Sequence, residues 1–118
     1  MICDHVSTYC VVYPLKLQSD APTVILDTIK QLQVHTGVTP KVLRTDNAQE
    51  LTSAAFVDSL VKLGVAFYPS LPYSPQENGE AERLNQTLGD MAREMVTQSR
   101  MPVHFWQLAY ASVSFIHN

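Results

Sequence analysis

Lys41-Val42-Leu43-Arg44-Thr45-Asp46-Asn47 is the stretch on which the fold turns. Pro40 precedes it, and Lys41 to Thr45 read as a short strand that ends at an acid. Downstream, Thr52 or Ser53 can cap a helix with Phe56, Leu60 and Leu63 at i, i+4 and i+7, and Gly64 stands where a C-cap glycine belongs. Val65 to Tyr68 then reads as a second strand. Strand, helix, strand in this order favours a parallel pair joined by a crossover helix.

On the N-terminal side, Met1 to Cys3 and Tyr9 to Leu15 predict two strands of a hairpin, turned by the polar His5-Val6-Ser7-Thr8. Ser19 or Asp20 can cap a helix with Val24, Ile25, Ile29 and Leu32 at helical spacing, ended by Gly37. On the C-terminal side, Pro69, Pro72 and Pro75 exclude a central strand or a helix interior and mark a loop. A helix is expected from about Gln76 to Gly79 until Ser99, with Ala81, Leu84, Leu88, Met91 and Met95 as its core stripe and Glu82 half-sheltered on the flank. Pro102 opens a last helix carrying Phe105, Leu108, Ala109, Val113 and Ile116, with Trp106 and Tyr110 read as core aromatics beside Val103. The order of elements is mixed α/β, with a sheet partly antiparallel and partly parallel.

Composition sets bounds on function. The 118 residues suit one domain or part of one, and 46% hydrophobic residues with a mean hydropathy of −0.02 suit a packed core. No apolar run approaches the roughly 20 residues that span a bilayer, and Asp4 and His5 interrupt any leader-like start, so no membrane partner is expected. The net charge of −3 and a pI near 5.7 do not advertise nucleic-acid binding, and the eight cations are scattered. Cys3 and Cys10 lack metal-ligand spacing with each other or with the four histidines, which argues against zinc and for buried strand cysteines in a reducing compartment.

Asp46 and Glu82 carry the chemistry. Thirty-five residues separate them, one at a strand end and the other on the first turn of a helix, an arrangement able to hold a divalent metal at a phosphate. Arg44-Thr45-Asp46-Asn47 followed by Leu71-Pro72-Tyr73-Ser74-Pro75-Gln76-Glu77-Asn78-Gly79-Glu80-Ala81-Glu82-Arg83-Leu84-Asn85 resembles the catalytic core of retroviral-type integrases, most closely that of Copia-type retrotransposons. The resemblance runs from Asp4-His5-Val6-Ser7-Thr8-Tyr9 to Phe105-Trp106.

That resemblance implies a ribonuclease-H-like fold, a mixed sheet flanked by helices. It further implies metal-dependent end processing and strand transfer of DNA. Asp46 and Glu82 match the second and third acids of the family's triad, which binds Mg2+ or Mn2+; the first acid belongs to a strand upstream of the hairpin. The chain is therefore expected to be a partial core, truncated at the N-terminal side and also within a helix pattern at the C-terminal side. Asp4 matches a non-catalytic acid and is expected to form a turn.

Asn47, Tyr73, Gln76, Asn78 and Asn85 are the candidate DNA contacts, with element ends and target DNA as partners, a homo-oligomer in the full-length protein, and a cytoplasmic particle and the nucleus as locations. Asn85 can equally brace its helix. Departures from the family pattern include Ala48-Gln49 in place of two glycines, and Leu84 and Gln86 in place of two cations. The alternative functions are a decayed, non-catalytic remnant with weak nucleic-acid binding, and a ribonuclease-H-like nuclease.

Overall fold

The computed structural model describes residues 1–46, 48–70 and 79–118. It is mixed α/β and divides into two compact units, Met1–Pro14 with Asn78–Asn118, and Leu15–Glu77.

The second unit holds α1 (Ala21–Thr36), β3 (Val42–Thr45), α2 (Ala54–Lys62) and β4 (Ala66–Pro69). β1 (Ile2–Cys3) and β2 (Cys10–Val11) belong to the first unit. Helix α1 begins with Pro22 in its first turn, where the missing N–H costs nothing, and ends at Gly37, whose φ of 70° lets its N–H return to the Gln33 carbonyl. Asp20 precedes α1 within a 3₁₀ turn, Gln18–Asp20, and its side chain makes no capping bond. Ser53 does cap α2, accepting from the Phe56 N–H. Gly64, at φ 75°, reverses the chain into β4.

β3 and β4 pair in parallel, Val42 opposite Ala66 through Thr45 opposite Pro69, as the strand-helix-strand order requires. Ile29, Leu51, Phe56, Leu60 and Val65 form the core of this unit, with Leu43 and Phe67 packed against it from the two strands. Phe56 and Phe67 meet edge to face at 5.9 Å.

The first unit holds β1 (Ile2–Cys3), β2 (Cys10–Val11), α3 (Gly79–Ser99) and α4 (Trp106–His117). The hairpin is antiparallel, as expected, but shorter than the expected Tyr9 to Leu15: pairing ends at Val11, and Pro14 has no N–H to extend a ladder. The core is Cys10, Leu88, Ala92, Ala109 and Val113. The stripe of α3 is therefore turned from the expected one. Ala92 replaces Met91, which is exposed, as is Ala81, while Leu84 and Met95 are partly buried. Small side chains allow closer approach of the facing helices, so the α3 to α4 contact selects Ala92 and Ala109 over the longer Met91 and Leu108. Leu108 and Ile116, expected in the core, are each 64% exposed. Trp106 is likewise half-exposed, not a core residue, and its ring stands edge-on to Tyr110 at 6.4 Å.

Candidate metal and nucleic-acid site

Asp46 follows directly on the last residue of β3. Thr45 lies opposite Pro69, and the next residue on β4's side, Ser70, donates both its N–H (2.8 Å) and its Oγ–H (3.0 Å) to the Thr45 carbonyl. Two donors on one carbonyl hold the carboxyl ends of the strands in register. The exposed Asp46 and Ser70 consequently lie at the same end of a parallel pair, the end at which open α/β sheets bind ligands. Thr45 Oγ1 is buried without a hydrogen-bond partner among the described residues.

Glu82 belongs to the other unit. It lies in the first turn of α3 with Glu80, where the helix dipole favours negative charge. It is exposed and not half-sheltered, because the buried stripe through Leu84 and Leu88 faces away from it. Asn85, one turn on, acts as a brace: the Tyr110 hydroxyl donates to its backbone carbonyl at 2.8 Å and also meets its side-chain Oδ1. Burial, followed by the nearby Cys10 and Cys3, raises the Tyr110 pKa, which keeps that donor protonated.

Asp4 is a turn former, as its place in the sequence suggested. Its Oδ2 accepts the Ser7 N–H at 2.8 Å and the Ser7 hydroxyl at 2.5 Å, while the backbone closes the turn through Asp4 N–H to the Tyr9 carbonyl and Thr8 N–H to the Asp4 carbonyl. The Ser7 hydroxyl bond, then the Ser7 N–H bond, hold the Asp4 carboxyl below the ordinary aspartate range. Beside it, His5 Nδ1 meets Glu80 Oε2 at 2.9 Å, an exposed pair tying the turn to the start of α3. Asn47, Tyr73, Gln76 and Asn78 lie outside the described residues.

As donors, Asp46 and Glu82 suit a hard divalent ion: both are exposed carboxylates that, among the described residues, engage no cation or hydrogen-bond donor. Among the described residues, no group of three or more His, Cys, Asp or Glu side chains is close enough to hold a metal.

No protein-family model matches the chain. It is 31% identical over 115 residues, 98% of its length, to the retrovirus-related Pol polyprotein from transposon TNT 1-94 of Nicotiana tabacum. Over 98% of its length it is also 25% identical to the polyprotein from transposon RE2 of Arabidopsis thaliana. A third relative, the Pro-Pol polyprotein of simian foamy virus type 3 (strain LK3), is 33% identical over 75% of the chain. Its homologues are retrovirus-related Pol polyproteins. It spans 9% of the TNT 1-94 polyprotein and 8% of the RE2 polyprotein.

In this Pol segment the resemblance read from the sequence holds over nearly the whole chain. Three residues that fix elements within their own units had no sequence signal as such. Ser70 clamps the end of β3, Tyr110 braces the first turns of α3, and the Asn118 side chain pairs with the Cys10 peptide, accepting its N–H at 2.8 Å and donating to its carbonyl at 2.7 Å. Each acts through a partner distant in sequence, so neither periodicity nor local motif exposes it. No helix among the described residues is long and apolar enough to cross a membrane.

Proposed function

We propose that this Pol segment is an integrase catalytic core of ribonuclease-H-like fold, in which Asp46 and Glu82 serve as two of the acids that hold Mg2+ or Mn2+. The substrates are then element DNA ends and target DNA, and the reaction is metal-dependent end processing and strand transfer. The observation that carries this reading is the Ser70-clamped parallel pair, which presents an exposed Asp46 at its carboxyl end, without a cation or hydrogen-bond donor on it among the described residues. The similarity to Pol polyproteins over 98% of the chain supports it independently.

A divalent ion bound by these carboxylates would polarise a phosphodiester and stabilise charge on the attacking and leaving oxygens. The protein's own part is to supply hard anionic donors at a strand end and a helix start. Phosphate affinity would rest largely on the ion, because the chain carries net charge −3.

A second reading is favoured by one observation, the lack of a three-acid group among the described residues: a non-catalytic segment that retains the frame. Mn2+ titration of residues 1–118, followed by paramagnetic broadening of amide signals, separates the two. The integrase reading expects broadening centred on Asp46 and Glu82, weakened at least tenfold in affinity by Asp46→Asn or Glu82→Gln. Uniform broadening that is indifferent to both substitutions refutes it. Two carboxylates do not place two ions for in-line displacement, so these residues alone are expected to leave DNA ends unjoined.

A further inference from the structure

We propose that Cys3 and Cys10 form a cross-strand disulfide site, an oxidisable pair that closes a covalent ring around the Asp4 to Tyr9 turn. The two residues are direct partners in the antiparallel register, Cys3 opposite Cys10. The Asp4 N–H donates to the Tyr9 carbonyl, which puts Asp4 and Tyr9 at a hydrogen-bonding position of the ladder, with the Tyr9 N–H turned to Ser7 Oγ at the turn. Antiparallel pairs alternate, so Cys3 and Cys10 form a non-hydrogen-bonded pair, the kind with Cα atoms about 4.5 Å apart and side chains closest. That separation falls inside the roughly 4.4 to 6.8 Å window that a disulfide requires.

The backbone at Cys10 confirms the alternation. Its N–H and carbonyl turn away from β1, to Asn118 Oδ1 and to Asn118 Nδ2 and Ser114 Oγ. These three bonds hold Cys10 in place. Cys10 is fully buried against Leu88, Ala92, Ala109 and Val113, while Cys3 is partly exposed, so an oxidant reaches Cys3 first.

With glutathione disulfide as oxidant the step balances. The Cys3 thiolate attacks one glutathione sulfur and expels glutathione thiolate; the Cys10 thiolate then attacks the Cys3 sulfur of the mixed disulfide and expels the second. The two protein thiol protons end on the two glutathione thiols, the dithiol is oxidised and the glutathione disulfide reduced. Burial, with the neighbouring Cys10 adding to it, pushes the Cys3 thiol up to about 11, so the first attack is slow at neutral pH and speeds up as pH rises.

The test is equilibration of the reduced 118-residue chain in glutathione redox buffers, in native buffer and again in strong denaturant, followed by acid quench and alkylation. Cleavage on the N-terminal side of Asp4 without reduction separates Cys3 from Cys10 in sequence, so that only an internal disulfide keeps the two fragments joined. Linked fragments are expected, with an equilibrium constant for oxidation at least tenfold larger in native buffer than in denaturant. Asn118→Ala should shrink that ratio, because it frees the Cys10 peptide. Equal constants in the two conditions, or oxidation that yields only dimers or mixed glutathione adducts, overturns the proposal. Cys3→Ser, which alters the partly exposed member and leaves the core cysteine in place, must abolish the linked product.

Discussion

Tyr110→Phe isolates one hydrogen bond that couples α4 to the start of α3. The substitution keeps the ring, its edge-on contact with Trp106 and its packing against Gly89, whose added methyl position would lie 3.7 Å from the Tyr110 ring and hydroxyl. It removes only the hydroxyl that donates to Asn85. A net intramolecular hydrogen bond is worth about 0.5 to 1.5 kcal/mol, and the exposed Asn85 acceptors regain water when it is lost, which places the cost in the lower half of that range. Trp106 is the single tryptophan of the chain and sits against Tyr110, so its fluorescence reports on this unit. At a urea slope of about 1 to 2 kcal/mol/M, the midpoint should fall by roughly 0.25 to 1 M. Asn85→Ala should cost less, since the hydroxyl still reaches the backbone carbonyl. An unchanged midpoint in Tyr110→Phe, or a larger loss in Asn85→Ala, would refute the brace.

Leu60→Ala, at a fully buried site in the second unit, should cost about 2 to 5 kcal/mol and speed amide exchange across β3 and β4. Gly64→Ala has open space for the new methyl but forces φ 75° on a residue with a Cβ, so a loss of about 1 kcal/mol is expected by thermal or chemical unfolding. The Asp4 carboxyl should titrate below the ordinary aspartate range by NMR, and Ser7→Ala should return it upward; no upward movement would break the assignment of cause. Because that pKa is lowered on folding, the turn's stabilisation is complete above the unfolded aspartate pKa and is lost as pH falls through the folded one, by a small amount at so exposed a site.

Much of the local structure was legible. Gly37 and Gly64 stop helices at positive φ because only glycine adopts that conformation freely, and Ser53 caps α2 because its hydroxyl answers an unpaired N–H. The alternation of strand, helix and strand around Phe56 and Leu60 implied the parallel pair that the structure contains. Asp46 was legible as a strand-end acid, and Asn85 as a residue able to brace. Less was legible about faces. A helical period names several adjacent stripes, and α3 presented Met91 and Ala92 as neighbours on the same side.

By itself, then, the sequence determined what depends on a few neighbouring residues: where helices begin and stop, which segments extend, and the motif that relates this chain to Pol polyproteins. Tertiary structure alone decided what depends on partners far along the chain. Ala92 is buried and Met91 exposed because α4 approaches through Ala109; β2 ends at Val11 because pairing ends there; Cys10 is clamped because Asn118 returns to it from 108 residues away. Propensity and capping are short-range energies that a sequence window contains. Packing and cross-strand register are set by the partner surface, which no window of the sequence contains.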